Sequence, residues 1–398
     1  MTRRVNLGPL YLAGFTTAFG AHGVAAAIGT ETAELGLSFL GLGVILAVYD
    51  IAEVILKPLF GVLSDRVGVK PVIVGGLAVF AGACLLGVFA STPVLLALAR
   101  LGQGAAAAAF SPASSAAVAR LAGAGAAGRY FGRYGSWKGL GYAAGPLLGA
   151  GLIMWAGLPA LFVALTVLSV VAAGWAAWGI PQITVLPKAR ATLAELVRQS
   201  TARSFLGPVI LLATATAVLG VAVGFLPYLG TQIGLEPLAS MAAVTVLALI
   251  SAIIQPGMGR RHDTAPHRSR ILMTSAGVLL TAGLAAVSVT PGLVTIYIAA
   301  TLIGVGVGVI TPLGFAVLAA ATPPNRMGRT MGSAELGREV GDAGGPILVG
   351  AIAAAASLPL ALATMGLVSL LATGVGSTLL QSPKPKRPKP RESDPPPA

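Results

Sequence analysis

The apolar residues of this chain form long runs, and short segments that are polar or rich in glycine and proline separate the runs. Runs of about 20 apolar residues are long enough to cross the hydrocarbon core of a bilayer as helices. Helices satisfy their own backbone polar groups there, which an open sheet does not. The pattern predicts twelve such helices, with limits near 7–28, 38–60, 72–90, 94–119, 131–156, 160–180, 206–230, 239–256, 271–289, 293–320, 330–356 and 359–380.

The pattern of the first six spans returns in the last six. The clearest copy pairs Gly132, Gly141, Gly145 and Pro146 with Gly332, Gly341, Gly345 and Pro346. A duplicated membrane bundle is typical of transporters, which bind substrate between repeats and rock one repeat against the other. The predicted units are a six-helix bundle at 1–180, a cytoplasmic linker at 181–205, a second six-helix bundle at 206–380 and a disordered tail at 381–398.

Composition supports a membrane protein. The 398 residues are 56% hydrophobic and only 10% charged, whereas a soluble domain has about 25% charged residues. The predicted fold class is therefore an all-α membrane protein of twelve transmembrane helices in two pseudo-symmetric six-helix bundles. The chain has one cysteine, Cys84 in the middle of a span, so an intrachain disulfide is excluded.

The basic residues set the predicted orientation. Lys and Arg occur in alternate connections, at the N-terminus, in the linker and in the tail, whereas the opposite connections carry only Glu31, Glu34 and Glu236. The positive-inside rule then predicts a multi-pass protein of the plasma (inner) membrane with both termini in the cytoplasm. The net charge of +13 is interpreted as topology and contact with anionic lipid, not as nucleic-acid binding.

The linker and the tail have distinct compositions. Thr192 and Glu195 have the spacing of a capping box, and the apolar positions that follow share one face, which predicts a short amphipathic helix on the inner membrane surface. The tail is rich in Pro, Lys and Arg, which is typical of a disordered segment.

Three motifs in the first half resemble those of the major facilitator superfamily. After span 2 stands a loop motif with Gly61, Asp65, Arg66, Gly68 and Lys70, in which Val69 replaces a usual basic residue. Span 4 contains Arg100-Leu101-Gly102-Gln103-Gly104, and span 5 contains Gly132, Gly141, Gly145, Pro146 and Gly149 in the spacing of the antiporter motif, with Ala150 in place of a terminal Gly. The resemblance covers all twelve spans and is greatest to the drug:proton antiporter branch.

The resemblance implies that Asp65 approaches the start of span 11, near Arg329 and Thr330, where the helix dipole stabilises a carboxylate. Such a contact would hold the halves together in the outward-open state; a surface salt bridge without a gating role is the alternative. The glycines of spans 5 and 11 predict close helix packing, and Pro146 and Pro346 predict bends. Gly61 and Gly68 are expected to permit a tight reversal between spans 2 and 3.

Charged residues in mid-span are functional candidates, since burying them in lipid is costly. Asp50, Glu53 and Lys57 fall on one face of span 2, and two adjacent acids form a candidate proton site. We expect Asp50 or Glu53 to pair with Arg338 across the boundary between the halves, in a polar layer with Lys57, Lys138, Glu335, Arg338, Glu339 and Asp342. The resemblance implies a part in proton handling for Arg100. A static ion network that only holds the bundle together is the alternative.

These observations lead to three hypotheses of function. The first is a proton-coupled exporter of small lipophilic molecules that works by alternating access as a monomer. The second is an organic-anion transporter that uses Arg100, Lys138 and Arg338. The third is a membrane enzyme or scaffold that transports nothing, which the lack of a hydrolase set, zinc spacing or phosphate loop disfavours; no cofactor and no metal are expected. Candidate substrate contacts are Phe15, Phe19, His22, Phe110, Phe225, Tyr228 and Phe315, although His22 also suits a packing role.

Overall fold

The structure is a computed structural model that describes residues 7–30, 39–122, 125–182, 201–235, 237–290 and 292–380. These ranges are almost entirely helical and contain no strand. The linker helix expected around Thr192, the acidic residues of the outer connections and the tail lie outside them. The helices are α1 (Gly8–Thr30), α2 (Phe39–Val67), α3 (Val69–Val88), α4 (Pro93–Ala122), Ala127–Gly179, α7 (Arg203–Gln232), α8 (Pro237–Thr264), α9 (Ser269–Val289), α10 (Leu293–Ala321), α11 (Met327–Ala355) and α12 (Leu358–Leu379).

The helix Ala127–Gly179 is two spans joined without a loop. Its backbone leaves helical geometry only at Ala156 and Gly157, where Gly157 adopts φ 75°. Glycine takes this positive φ without the steric cost that a side chain would add. We therefore number residues 127–155 as α5 and residues 158–179 as α6. The described ranges then contain the twelve predicted α-helices, and the boundary between spans 5 and 6 lies where it was predicted.

Several helices run beyond the apolar spans predicted for them. α2 continues to Val67, seven residues past its predicted limit, and α8 continues to Thr264, eight residues past its own. Hydropathy marks the part of a helix that lies in hydrocarbon, whereas the helix itself continues into the polar interface. The prediction that Gly61 takes part in the reversal is wrong for this reason, because Gly61 lies inside α2; Gly68 alone makes the turn, at φ 96°.

The two halves repeat the same packing. In the first half α1 packs on α5, α2 on α4 and α3 on α4; in the second half α7 packs on α11, α8 on α10 and α9 on α10. Two pseudo-equivalent helix pairs join the halves, α2 with α11 and α5 with α8. We call these pairs the α2–α11 seam and the α5–α8 seam. Two six-helix bundles therefore meet along two related lines.

Eight helical segments in the described part of the chain are long and apolar enough to cross a membrane. The segments that do not qualify are α1, α2, the first part of α5 and α11. Three of these four line the seams and carry the mid-helix charges, which lower their hydropathy. The chain is a multi-pass membrane protein whose charged helices lie where the halves meet.

Candidate functional site: the boundary between the two halves

Asp65, in the last turn of α2, binds the first turn of α11. Its Oδ1 and Oδ2 accept hydrogen bonds of 2.9 Å from the backbone N–H groups of Gly328 and Arg329. The first N–H groups of a helix have no partner within the helix and carry partial positive charge, so they favour a carboxylate. Arg120, at the end of α4, also forms an ion pair with Asp65. This arrangement, the Asp65 contact, lies at the position that the loop motif implied.

Asp263, in the last turn of α8, makes the matching contact in the other seam. Its two carboxylate oxygens accept hydrogen bonds of 2.8 Å from the N–H groups of Gly128 and Arg129, at the start of α5. The sequence analysis missed this Asp263 contact. The signal was present, because Gly259-Arg260-Arg261-His262-Asp263 keeps the Gly and Asp spacing of Gly61 to Asp65 and Arg268 stands at the position of Lys70, although Thr264 and Pro266 replace Arg66 and Gly68.

Glycines let both seams close. A Cβ on Gly61 would lie 2.9 Å from the carbonyl oxygen of Gly328, and one on Gly332 would lie 3.2 Å from the Cα of Gly61. In the other seam, a Cβ on Gly132 would lie 2.4 Å from the carbonyl oxygen of Gln255. Backbones therefore approach one another directly, and the space at Gly132 is the tighter.

The remaining motif glycines serve packing within each half. Gly141, Gly145 and Gly149 face α1, where Gly145 lies against Phe19 and Gly23. Gly341 and Gly345 face α7 in the same manner. Pro146 and Pro346 lie inside helices, and a bend at either remains a prediction. The motif thus combines one glycine in a seam with others that bind α5 and α11 to their own halves.

A buried cation ties the halves together at mid-height of the α2–α11 seam. The Lys57 side chain is 1% exposed, and its Nζ lies 2.8 Å from Glu53 Oε1 of its own helix and 2.6 Å from Glu339 Oε1 of α11. The expected pairing of Asp50 or Glu53 with Arg338 is therefore not the one formed. Residues 338 and 339 differ by about 100° around a helix, and the packing of α11 turns Glu339 toward Lys57.

Arg338 instead pairs within its own helix. Its Nη1 donates a hydrogen bond of 2.9 Å to Glu335 Oε2, and the guanidinium lies 5.8 Å from the centre of the Phe315 ring. Glu335 is 2% exposed and accepts a second hydrogen bond, of 3.0 Å, from the hydroxyl of Ser115 in α4. Glu335 is therefore another acid of α11 bound by the opposite half.

Three members of the expected polar layer form no ion pair within 4 Å among the described residues: Asp50, Lys138 and Asp342. Asp50 and Asp342 are exposed, and Lys138 is partly buried with its ammonium 5.9 Å from the centre of the Tyr142 ring. The carboxylates of Asp50 and Asp342 are therefore accessible from outside the chain.

Arg100 is buried near the other end of α4 from Arg120. Its guanidinium lies 4.3 Å above the Tyr49 ring and donates a 3.1 Å hydrogen bond to Gln103, whose amide in turn donates to Cys84. Its Nε has no hydrogen-bond partner within the described ranges. The motif residues Arg100 and Gln103 thus join α4 to α3 and, through Tyr49, to α2.

The candidate substrate contacts fall into two groups. Phe19, Phe110 and Phe315 are buried in the core, and Phe315 stacks on Phe131 of the opposite half at 5.4 Å between ring centres. They present little surface to a ligand in this conformation. His22 lies 4.4 Å from the Tyr142 ring, and Tyr228 is exposed; Phe15 and Phe225 are partly buried.

Comparisons with known proteins bear on the whole chain. The sequence model of the Major Facilitator Superfamily matches residues 10–294 and 209–398. The human organic anion transporter MFSD10 superposes on 94% of this chain and 100% of its own with a TM-score of 0.79 at 18% identity. The transporter FucP in the outward conformation superposes on 94% of this chain and 98% of its own with a TM-score of 0.78 at 14% identity.

Two curated relatives match shorter stretches. The inner membrane transport protein YajR of Escherichia coli (strain K12) is 40% identical over 76 residues, which are 19% of this chain and 17% of that protein. The tetracycline resistance protein, class G, of Vibrio anguillarum is 38% identical over 110 residues, which are 27% of each chain. The matched segments thus cover well under two thirds of both relatives.

Proposed function

The chain belongs to the major facilitator superfamily, whose members are transporters and not enzymes, and we propose that it exports small lipophilic molecules in exchange for protons by alternating access. In this proposal it is a monomer of the plasma membrane with both termini in the cytoplasm. The basic ends of α2, α4 and α8, and Arg326 in the connection after α10, then face the cytoplasm and contact anionic lipid.

One observation carries the proposal: Lys57 is bound at once by Glu53 of its own half and Glu339 of the other. When a buried cation is paired with two acids, a single proton changes the net charge of the group. Protonation of either carboxylate removes one of the two attractions on Lys57, and protonation of Glu339 removes the attraction that crosses the seam. We propose that this step releases the α2–α11 seam.

Asp50 and Arg100 belong to the same pathway in this proposal. Asp50 lies two turns before Lys57 on α2, is exposed and forms no ion pair with another described residue, so it is placed to receive a proton before the buried acids. The neighbouring residue, Tyr49, holds Arg100 against its ring. A fixed cation there favours the ionised form of nearby acids until a proton arrives.

The relatives support the direction of transport. The tetracycline resistance protein of Vibrio anguillarum is named for drug resistance, which fits export of a drug-like molecule. The span 5 motif, which resembles that of antiporters, agrees with exchange. The static ion network stays the alternative to a proton-driven seam, and transport measurements separate the two.

The test uses purified protein in liposomes with an imposed pH gradient and a panel of lipophilic solutes. A transported solute should dissipate the gradient in the wild type. Glu53→Gln should abolish solute-dependent proton flux but retain exchange of labelled for unlabelled solute, because exchange needs no proton. Glu392→Gln removes one carboxylate from the C-terminal tail and is the control. Full proton flux in a well-folded Glu53→Gln variant would refute the coupling role.

An organic-anion transporter is the second candidate. Lys138 favours it, since this partly buried ammonium in the middle of α5 has no acid within 4 Å in the described part of the chain, and MFSD10 is a solved organic anion transporter with this fold. Arg338 and Arg100 support it less, because Glu335 pairs with Arg338 and Arg100 is buried. Loss of anion flux in Lys138→Gln, without loss of lipophilic-solute flux, would favour this function.

A further inference from the structure

A cavity of about 330 Å³ lies where α8 turns into α9. It is lined by Arg261, Thr264, Ala265, Arg268 and Leu272. Both arginines are exposed, and neither forms an ion pair within 4 Å among the described residues. The volume falls in the range of small-molecule sites, which is about 300–1,000 Å³.

The backbone that presents these arginines is held in place. His262 Nδ1 lies 2.7 Å from the Ser269 hydroxyl, and both residues are buried, so the last turn of α8 is tied to the first residue of α9. The N–H of Ala265 donates to the carbonyl of Arg261, and the N–H of Arg268 donates to the carbonyl of Ala265. The turn is therefore formed before any ligand binds.

The nearest acid in the turn does not neutralise the two arginines. Both carboxylate oxygens of Asp263 accept hydrogen bonds from the N–H groups at the start of α5. A cavity with two unpaired guanidinium groups attracts a phosphate, which arginine binds with paired N–H donors.

We propose that this cavity binds the phosphate headgroup of an anionic phospholipid. Two observations favour a lipid over free phosphate. The cavity lies at the ends of two candidate membrane spans, Ala242–Thr264 and Pro266–Val289. Leu272, one turn into α9, forms an apolar wall beside exposed Ile271, where an acyl chain can lie. The site rests on the proposed function in one respect only, because the proposed orientation decides which membrane leaflet supplies the lipid.

The site also lies against the α5–α8 seam, because Asp263 belongs to the same turn. A bound headgroup would hold the turn in the form that presents Asp263 to α5. The lipid would then favour the state in which this seam is closed, independently of which solute is transported.

Native mass spectrometry of the full-length protein tests the site. We expect the first phosphatidylglycerol to bind roughly 30-fold more weakly to Arg261→Gln/Arg268→Gln than to the wild type, since each basic residue near a lipid surface contributes about 1 kcal/mol. Arg203→Gln/Arg326→Gln is the matched control, with the same loss of charge outside the cavity, and should retain wild-type binding. The single variants Arg261→Gln and Arg268→Gln, each with an intermediate effect, replace the double variant if it does not fold.

Equal phosphatidylglycerol binding in the wild type and the cavity variant would overturn the proposal. So would equal losses in the cavity variant and the control, which would indicate only a general charge effect. Inorganic phosphate and phosphatidylcholine are measured in parallel: phosphate binding as tight as that of phosphatidylglycerol would indicate a free-anion site and refute the lipid assignment. None of these results depends on solute transport, so failure here is separate from failure of the proposed function.

Discussion

The Asp65 contact and the Asp263 contact are two versions of one arrangement. In both, an aspartate in the last turn of one helix accepts hydrogen bonds from two backbone N–H groups that open a helix of the other half. They differ in their side-chain partners, since Arg120 binds Asp65 and no arginine forms an ion pair with Asp263 within the described ranges. The backbone contact is thus common to both seams, and Arg120 adds a second attraction to one of them.

The α2–α11 seam has the additional ion pair, but the α5–α8 seam has the closer packing. The α5–α8 seam has the tighter backbone approach, at Gly132, whereas the α2–α11 seam has the ion pairs, at Arg120 and Lys57. Ion pairs respond to protons, and close backbone packing does not. We infer that the α2–α11 seam is the responsive one and the α5–α8 seam the structural one.

Removing both aspartates should give the largest effect. Hydrogen bonds to charged groups contribute roughly 1.5–3 kcal/mol each, so Asp65→Ala/Asp263→Ala should strongly favour separation of these helix ends. Spin labels at Val67→Cys and Thr322→Cys, in a Cys84→Ser background, would report this as a longer distance between α2 and α10. An unchanged distance distribution would show that neither contact holds the halves together.

The single variants should differ from each other. Asp65→Asn removes the charge from Asp65 and leaves the largely buried Arg120 without its carboxylate, whereas Asp263→Asn leaves no arginine unpaired. An unpaired buried charge is costly, and we expect a shift of roughly 2–3 kcal/mol for Asp65→Asn against about 1–2 kcal/mol for Asp263→Asn. The same spin-label pair measures both. Equal shifts would mean that Arg120 contributes nothing.

Replacing a seam glycine with alanine should have the larger effect in the α5–α8 seam, which is the opposite of the order expected for the aspartate variants. A Cβ at Gly132 meets the Gln255 carbonyl at 2.4 Å, while one at Gly332 meets its nearest atoms at 3.2 Å. Overpacking costs about 1–3 kcal/mol, so Gly132→Ala should lower the thermal unfolding midpoint and loosen the seam, and Gly332→Ala should have the smaller effect. A larger effect for Gly332→Ala would contradict the inferred difference in packing.

The smallest effect is the coupling between Arg120 and each aspartate. A double-mutant cycle of Arg120→Gln with Asp65→Asn should give an interaction free energy of about 1 kcal/mol, and the cycle with Asp263→Asn a value near zero. Thermal unfolding in detergent supplies the four stabilities of each cycle. Comparable coupling in both cycles would show that Arg120 acts through the whole bundle and not through the Asp65 contact.

Sequence predicted the twelve helices and the position of Asp65 well, because hydropathy and a spaced motif are local signals. It predicted the wrong partner for Glu53, because neighbouring positions on α11 have nearly the same height in the membrane and only packing decides which one faces α2. The Asp263 contact was missed although its Gly and Asp spacing repeats the first half. A comparison of the two repeats at single positions, with Gly61, Asp65 and Lys70 set against Gly259, Asp263 and Arg268, would have found it.

The turns that follow three of the four seam helices are very short. One residue, Gly68, separates α2 from α3; two residues separate α5 from α6, and two, Ala356 and Ser357, separate α11 from α12. A helix anchored so closely to its neighbour does not slide along its own axis without carrying that neighbour with it. Each half is therefore expected to tilt as a block, and the proposed protonation of one ion pair would then act on both faces of the membrane at once.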